Sequence, residues 1–256
     1  MKAERESYDP AAESARHLNF SFPQFLNRVF SQDCTLCGVR ARAQLCSACE
    51  AGLPYLPDLV CPQCAAVSPE GELCGRCLAD PPHFDATIAA FRYEFPFDKL
   101  MQAYKFRAQL ALANEFAAAL ATRIQTAGIT FDALVPLPIS AARLAARGFD
   151  QTALIAQSLS LRLPNIKLAR QLIKVRDTPP QSGLDREARL KNVRGAFECE
   201  TNLTGRHVAI LDDVMTTGAT LSEAARTLKK AGAAIVTAMA VARADHGRMD
   251  GGAIPF

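Results

Sequence analysis

The chain has 256 residues, is 49% hydrophobic and carries a formal net charge of +3, with a mean hydropathy of +0.03. That balance excludes a low-complexity disordered chain and a membrane-embedded bundle, and leaves room for one full core plus a small module. No apolar run reaches the roughly 20 residues that a membrane-spanning helix needs. The start, Met1 to Arg16, lacks the basic opening and apolar core of a signal peptide, so the cytoplasm is the expected compartment.

Residues 1–32 read as a polar tail ending in a short helix. Phe22, Phe25, Leu26, Val29 and Phe30 fall on one helical face, suited to packing on a neighbouring metal site; membrane contact would need more positive charge than Arg28 supplies. Residues 33–80 contain eight of the nine cysteines, as four Cys-x-x-Cys pairs: Cys34/Cys37, Cys46/Cys49, Cys61/Cys64 and Cys74/Cys77. Each pair puts two thiolates on one metal, and two pairs complete a tetrahedral sulfur site, so two closed structural Zn²⁺ sites are expected. Sequential pairing closes the smaller loops, with an interleaved pairing as the alternative. Nothing here looks secreted, which argues against structural disulfides, and four regularly spaced pairs are too many for a redox centre. Cys199 stands apart and reads as a packed thiol in a strand.

Pro81-Pro82 marks a boundary. After it the expected elements are a strand over Ala86 to Phe95, a helix over Phe97 to Ala127 and a short buried strand over Phe131 to Leu137. Next come a helical stretch over Ala141 to Leu163, broken early by Gly148, and a strand over Leu168 to Arg176. Asp177 to Asn192 opens with Pro179-Pro180, is highly charged and reads as a mobile excursion with a short helical piece. Val208 to Leu211 and Ile235 to Ala242 are strands flanking a helix over Leu221 to Lys230, which stops at Gly232. Strands alternating with helices predict an α/β domain over 81–245, a mostly parallel sheet with helices on both faces, and a loose tail over 246–256.

Charge is distributed unevenly along this order. From Cys34 to Asp80 there are three Lys/Arg against five Asp/Glu; from Asp98 to Arg194 there are fifteen against seven. The cysteine module is therefore expected to support structure or protein contact rather than bind nucleic acid. The basic middle suits a polyanion, either a diphosphate or single-stranded DNA.

The most informative stretch is 208–220, Val-Ala-Ile-Leu-Asp-Asp-Val-Met-Thr-Thr-Gly-Ala-Thr. An apolar strand ends in two carboxylates, and a hydroxyl-rich loop with Gly218 leads into a helix. Ligands of open α/β sheets bind at that end of the strand. A helix start offers free N–H groups and a positive dipole end to a phosphate, and Thr216, Thr217 and Thr220 add hydroxyls. Asp212 and Asp213 would repel the phosphate and suit sugar hydroxyls or Mg²⁺ beside it. One phosphate and one vicinal diol describe a ribose 5-phosphate. Plain capping by the acids and an ordinary Thr-Thr-Gly turn form the competing structural account.

The same string resembles the phosphoribosyl-diphosphate motif of type I phosphoribosyltransferases. Further motifs extend the likeness over nearly the whole chain. They are Val135-Pro136-Leu137-Pro138, Arg143, Arg147-Gly148-Phe149-Asp150-Gln151, Tyr104-Lys105-Phe106, and Gln181, Leu184, Arg189 and Asn192. Together with the cysteine pairs they resemble the ComF family of competence-associated, phosphoribosyltransferase-like proteins with an N-terminal double zinc ribbon. Asp150 departs from the family's usual asparagine and is not expected to hold an anion.

The resemblance implies roles. Thr216, Thr217, Gly218, Ala219 and Thr220 would hold the 5-phosphate, and Asp212 and Asp213, the expected catalytic pair, the ribose hydroxyls and Mg²⁺. Arg143 and Arg147 would bind diphosphate in the loop after the first core strand, with a solvated helix charge as the alternative for each. Thr178 to Asn192 would be a hood that excludes water, with Arg176 and Arg189 reaching the leaving group. Lys105 is expected either to contact phosphate or to be a solvated helix lysine. Thr216 occupies the position of the aspartate that acts on the base in hypoxanthine–guanine enzymes, which disfavours that chemistry and leaves the acceptor open. The family also implies a part in natural transformation, with single-stranded DNA and a competence helicase as partners. An enzyme transferring phosphoribosyl groups and a non-catalytic adaptor for DNA or the helicase are the two resulting function classes.

Overall fold

In a computed structural model of the chain, the described residues are 32–176 and 191–244. The expected helix over Phe22 to Phe30, nearly all of the hood including Arg189, and the tail therefore lie outside the described residues. The chain divides into two compact units, Met1–Cys46 and Ser47–Phe256.

In the first unit, β1 (Gln32–Asp33) and β2 (Arg40–Ala41) pair antiparallel around a turn containing the first Cys-x-x-Cys pair. There the Cys34 N–H donates to the Val39 carbonyl and the Gly38 N–H to the Cys34 carbonyl.

The second unit opens with two short helices, α1 (Ser47–Ala51) and α2 (Gly75–Ala79). The turn at Cys61 repeats the one at Cys34: the Cys61 N–H donates to the Ala66 carbonyl and the Ala65 N–H to the Cys61 carbonyl. Ala65 takes the left-handed conformation that Gly38 takes in the first turn, with φ of 55° and 73°.

The core of this unit is a five-stranded sheet in the order β3-β9-β8-β4-β5, every pairing parallel. Its strands are β3 (Ala86–Arg92), β4 (Ala133–Pro136), β5 (Lys167–Leu168), β8 (His207–Met215) and β9 (Ile235–Arg243). Val208, Ala209, Ile210 and Leu211 have no exposed surface. A central parallel strand is covered on both faces, so an unbroken apolar run suits it better than alternation does. Helices α3 (Phe97–Phe106) and α4 (Leu112–Ala127) connect β3 to β4; α5 (Ala141–Arg147) and α6 (Gln151–Arg162) connect β4 to β5. Helix α7 (Ala219–Lys230) connects β8 to β9 and buries Leu221, Ala224, Ala225 and Leu228, the stripe its helical spacing sets up. Helices α4 and α6 pack on each other and on the sheet, whereas α7 packs on β8, β9 and the short strand Phe197–Cys199.

The largest differences from expectation are four. The single helix over Phe97 to Ala127 is two helices, parted where Ala108 adopts φ of 50°. The single strand over Leu168 to Arg176 is two: β5 joins the core sheet, while β6 (Leu172–Lys174) pairs antiparallel with β7 (Phe197–Cys199) as a separate ribbon. The strand beginning at Ala86 stops at Arg92 rather than Phe95. Strand β8 continues past Leu211 to Met215, because its neighbour β9 pairs with it that far, Met215 opposite Arg243. Cys199 lies in β7, half-buried, as expected. No helix among the described residues is long and apolar enough to cross a membrane.

Candidate functional site

Parallel strands β4 and β8 end side by side, with Pro136 opposite Leu211 and the Leu137 N–H donating to the Leu211 carbonyl at 2.8 Å. The segments following both strands therefore face one crevice at the carboxyl edge of the sheet, where α/β folds bind ligands. A cavity of about 620 Å³ occupies it. It is lined by Asp212 and Asp213, by Thr216, Thr217, Gly218, Ala219 and Thr220, and by Lys105, Arg143 and Arg147.

The phosphate loop is shaped by Gly218, which has φ of 78° and caps α7. A Cβ there would meet Met215 Cε at 2.8 Å and the Phe84 ring at 3.5 Å, so both the backbone angle and the packing demand glycine. The Thr217 hydroxyl accepts from the Ala219 N–H at 3.3 Å. Helix α7 thus begins at the cavity wall, with its positive dipole end and first N–H groups there.

The two acids sit within β8 rather than in the loop after it. Asp213 is buried, and Lys105 Nζ donates to its Oδ1 at 2.9 Å while Gln151 Nε2 donates to Oδ2 at 3.1 Å. Asp212 is partly exposed and accepts the Asp213 N–H at 2.7 Å on Oδ1. Desolvation and the neighbouring Asp213 charge push the Asp212 carboxyl up to about 7. A bound cation would restore its ionised form, which suits a divalent-ion or sugar-hydroxyl ligand.

Of the expected site residues, all but Arg189, which lies outside the described residues, have a defined place. Lys105 is buried, not solvated, and its ammonium holds Asp213. Arg143 is exposed at the cavity wall; Arg147 also lines it and lies over the Phe106 ring at 5.6 Å. Arg176 does not line the cavity and donates to the carbonyls of Asn192 and Arg194 at 2.8 and 2.7 Å, gathering the two ends of the expected hood. Asp150 caps α6 by accepting the Ala153 N–H, a role that an acid and an asparagine both fill.

Two contributors had no role assigned from sequence. Gln151, within the Arg-Gly-Phe-Asp-Gln stretch, holds Asp213, and the Tyr104 hydroxyl donates to its carbonyl at 2.7 Å. Lys174, on β6, adds a cation to the cavity wall. A second cavity of about 360 Å³ shares Thr217, Gly218 and Ala219 with the first and is lined by His83, Arg194, Glu223 and Arg226.

The cysteines form two quartets, Cys34/Cys37/Cys46/Cys49 and Cys61/Cys64/Cys74/Cys77, with the sulfurs of each within 4.8 Å of one another. The pairing is therefore sequential. Zn–S bonds of about 2.3 Å give a tetrahedron edge of about 3.8 Å. Cys37 and Cys46 Sγ are 3.7 Å apart, and Cys64 and Cys74 Sγ are 3.6 Å apart, so both quartets fit zinc. In the second, the Cys74 N–H and Arg76 Nη2 donate to Cys61 and Cys64 Sγ, the environment a thiolate needs. Burial raises the Cys64 thiol, but the Ala66 N–H and the Arg76 guanidinium outweigh it and bring the group down to about 6.

Residues 105–253 match the family model of the phosphoribosyl transferase domain, and residues 25–78 that of the double zinc ribbon domain. Fold and site thus define a phosphoribosyltransferase-type domain preceded by a double zinc ribbon. The chain is 32% identical over 205 residues to DNA utilization protein YhgH of Escherichia coli, covering 78% of this chain and 90% of that one. It is 30% identical over 213 residues to competence protein F of Haemophilus influenzae, covering 80% and 92%. Competence protein ComFC of Bacillus subtilis is 27% identical over 218 residues, covering 80% and 87%. The chain belongs to the ComF family.

Proposed function

We propose that the cavity binds phosphoribosyl diphosphate with Mg²⁺ and transfers its phosphoribosyl group to an acceptor, as a step in the use of external DNA. The observation that carries this reading is the juxtaposition in one cavity of an acid pair, a glycine-turned loop at a helix start, and two arginines. The link to DNA use comes from the names of the relatives.

In this reading the N–H groups and hydroxyls of Thr216 to Thr220 hold the 5-phosphate. Asp212 and Asp213 take the ribose 2- and 3-hydroxyls, with Lys105 and Gln151 fixing the orientation of Asp213. Arg143 and Arg147 face the diphosphate and stabilise the charge that grows on it as the C1–O bond breaks and the C1–nucleophile bond forms. Arg176 and Arg189 anchor and furnish the hood that keeps water from C1. Asp212 and Asp213 would hold a Mg²⁺ ion, which would supply neutralising charge to the departing diphosphate. The chain's own part is positioning and electrostatics.

Titration calorimetry tests the binding step: phosphoribosyl diphosphate should bind with Mg²⁺ and far more weakly with EDTA. A diphosphate-release screen across nucleobases, amines and single-stranded DNA then tests turnover. Binding without release for any acceptor would favour the adaptor reading, and absence of binding would overturn the proposal.

A further inference from the structure

Arg243, at the end of β9, is 1% exposed and is among the largest fully buried side chains of the described residues. Its Nε donates to the Cys64 carbonyl at 2.9 Å. Its Nη1 donates to the Thr216 carbonyl at 2.6 Å, to the Met215 carbonyl at 3.2 Å and to the Ala244 carbonyl. One guanidinium thus joins the second cysteine quartet to the first residue of the phosphate loop. We propose that Arg243 is a positioning residue through which the zinc site at Cys61, Cys64, Cys74 and Cys77 holds the phosphate loop in its anion-binding shape.

Peptide geometry carries the argument. A trans peptide is planar, with C=O and the following N–H pointing to opposite sides. A Thr216 carbonyl drawn onto Arg243 therefore turns the Thr217 N–H away from Arg243. The Met215 carbonyl is held in the same sense, by Arg243 and by the Ala244 N–H at 2.9 Å. The planar fork of an arginine fixes directions that a flexible ammonium does not. The other end of the fork is firm only if the Cys64 turn is, and a metal bound to Cys64 Sγ is what makes a four-residue turn rigid.

Packing runs along the same path. Cys61, Cys64 and Cys77 share one core cluster with Phe84 and Met215. Phe84 and Met215 are the two side chains that wall Gly218. Gln63, between the two cysteines of the turn, donates to the Phe84 carbonyl at 3.3 Å and accepts the Thr87 hydroxyl at 2.6 Å. Loss of the metal would loosen both the hydrogen-bonded and the packed connection.

The inference rests on the proposed ligand for its affinity readout, but not for its structural one. In the full-length zinc-loaded protein, Arg243→Gln should keep two zinc ions per chain, speed amide exchange at residues 216–219 at least tenfold, and weaken phosphoribosyl diphosphate at least tenfold. Arg243→Lys should recover part of both. Cys61→Ser should speed exchange at the same amides, and combining it with Arg243→Gln should add little, because both cut one connection. Unchanged loop exchange in Arg243→Gln, or effects of the two substitutions that simply add, would overturn the coupling. Should Arg243→Gln not fold, Arg243→Lys decides by the same readings. If the exchange results hold but the unaltered protein binds no phosphoribosyl diphosphate, the ligand assignment fails and the coupling stands.

Discussion

Asp212 and Asp213 are adjacent on one strand yet sit in opposite electrical surroundings. Lys105 and Gln151 hold Asp213, whereas burial and the Asp213 charge push Asp212 from its ordinary 3.8 to about 7. A carboxyl raised on folding destabilises the native state as pH climbs from its unfolded to its folded pKa; above the latter the penalty is complete. Asp212→Asn should therefore stabilise the ligand-free protein by an amount that grows between pH 5.5 and pH 8.5. The growth is about 1.4 kcal/mol for each unit crossed below the folded pKa. Urea denaturation at the two pH values measures it, and a pH-independent difference would contradict the assignment. Lys105→Met removes the cation from a buried pair and should cost about 3–5 kcal/mol. A thermal midpoint unchanged from the parent would show that Asp213 has another counter-charge. The pairing of Lys105 with Asp213 was not legible from its position near a helix end, because the acid lies 108 residues away.

At the scale of elements, the strand–loop–helix of 208–230 was readable because its chemistry is local: an apolar run, two acids, a glycine, an amphipathic helix. Its inner boundary was not, since β8 runs to Met215 only because β9 pairs with it that far. The parting of α3 from α4 carries no Gly or Pro, so nothing in the local sequence announced it. Arg243 was invisible for a related reason: an arginine closing an apolar strand reads as a surface charge until its carbonyl partners are known. Gly218→Ala should destabilise by at least the 1–2 kcal/mol of a left-handed alanine and should weaken phosphate binding, since Met215 must also move. Equal stability in a denaturant titration would mean that the loop is not held as described. The cysteine quartets make a sharper test. Metal analysis should find two zinc ions per chain, and Cys61→Ser should keep one. A parent protein with one zinc, or none, would contradict the two-site arrangement.

At the scale of the whole molecule, the positive surplus lies in residues 98–194 and not in the cysteine module. Single-stranded DNA held by phosphate contacts would lose affinity steeply with salt. If Arg143, Arg147 and Arg189 serve the diphosphate alone, Arg147→Ala and Arg189→Ala should weaken the small ligand and spare DNA. If DNA uses the same cavity, both should fall together. Gel shifts and titrations at two salt concentrations separate these outcomes, and DNA binding that maps to residues 33–80 would overturn the structural role given to the cysteine module. On the proposed reading the acids of β8 bind the ribose and Mg²⁺ of phosphoribosyl diphosphate instead of merely ending a strand. The most direct test of that reading is calorimetric titration of the Asp212→Asn, Asp213→Asn double variant with phosphoribosyl diphosphate and Mg²⁺, with circular dichroism to confirm the fold. The double variant should fold and lose binding altogether; affinity equal to that of the unaltered chain would mean that the two acids do not hold the ligand.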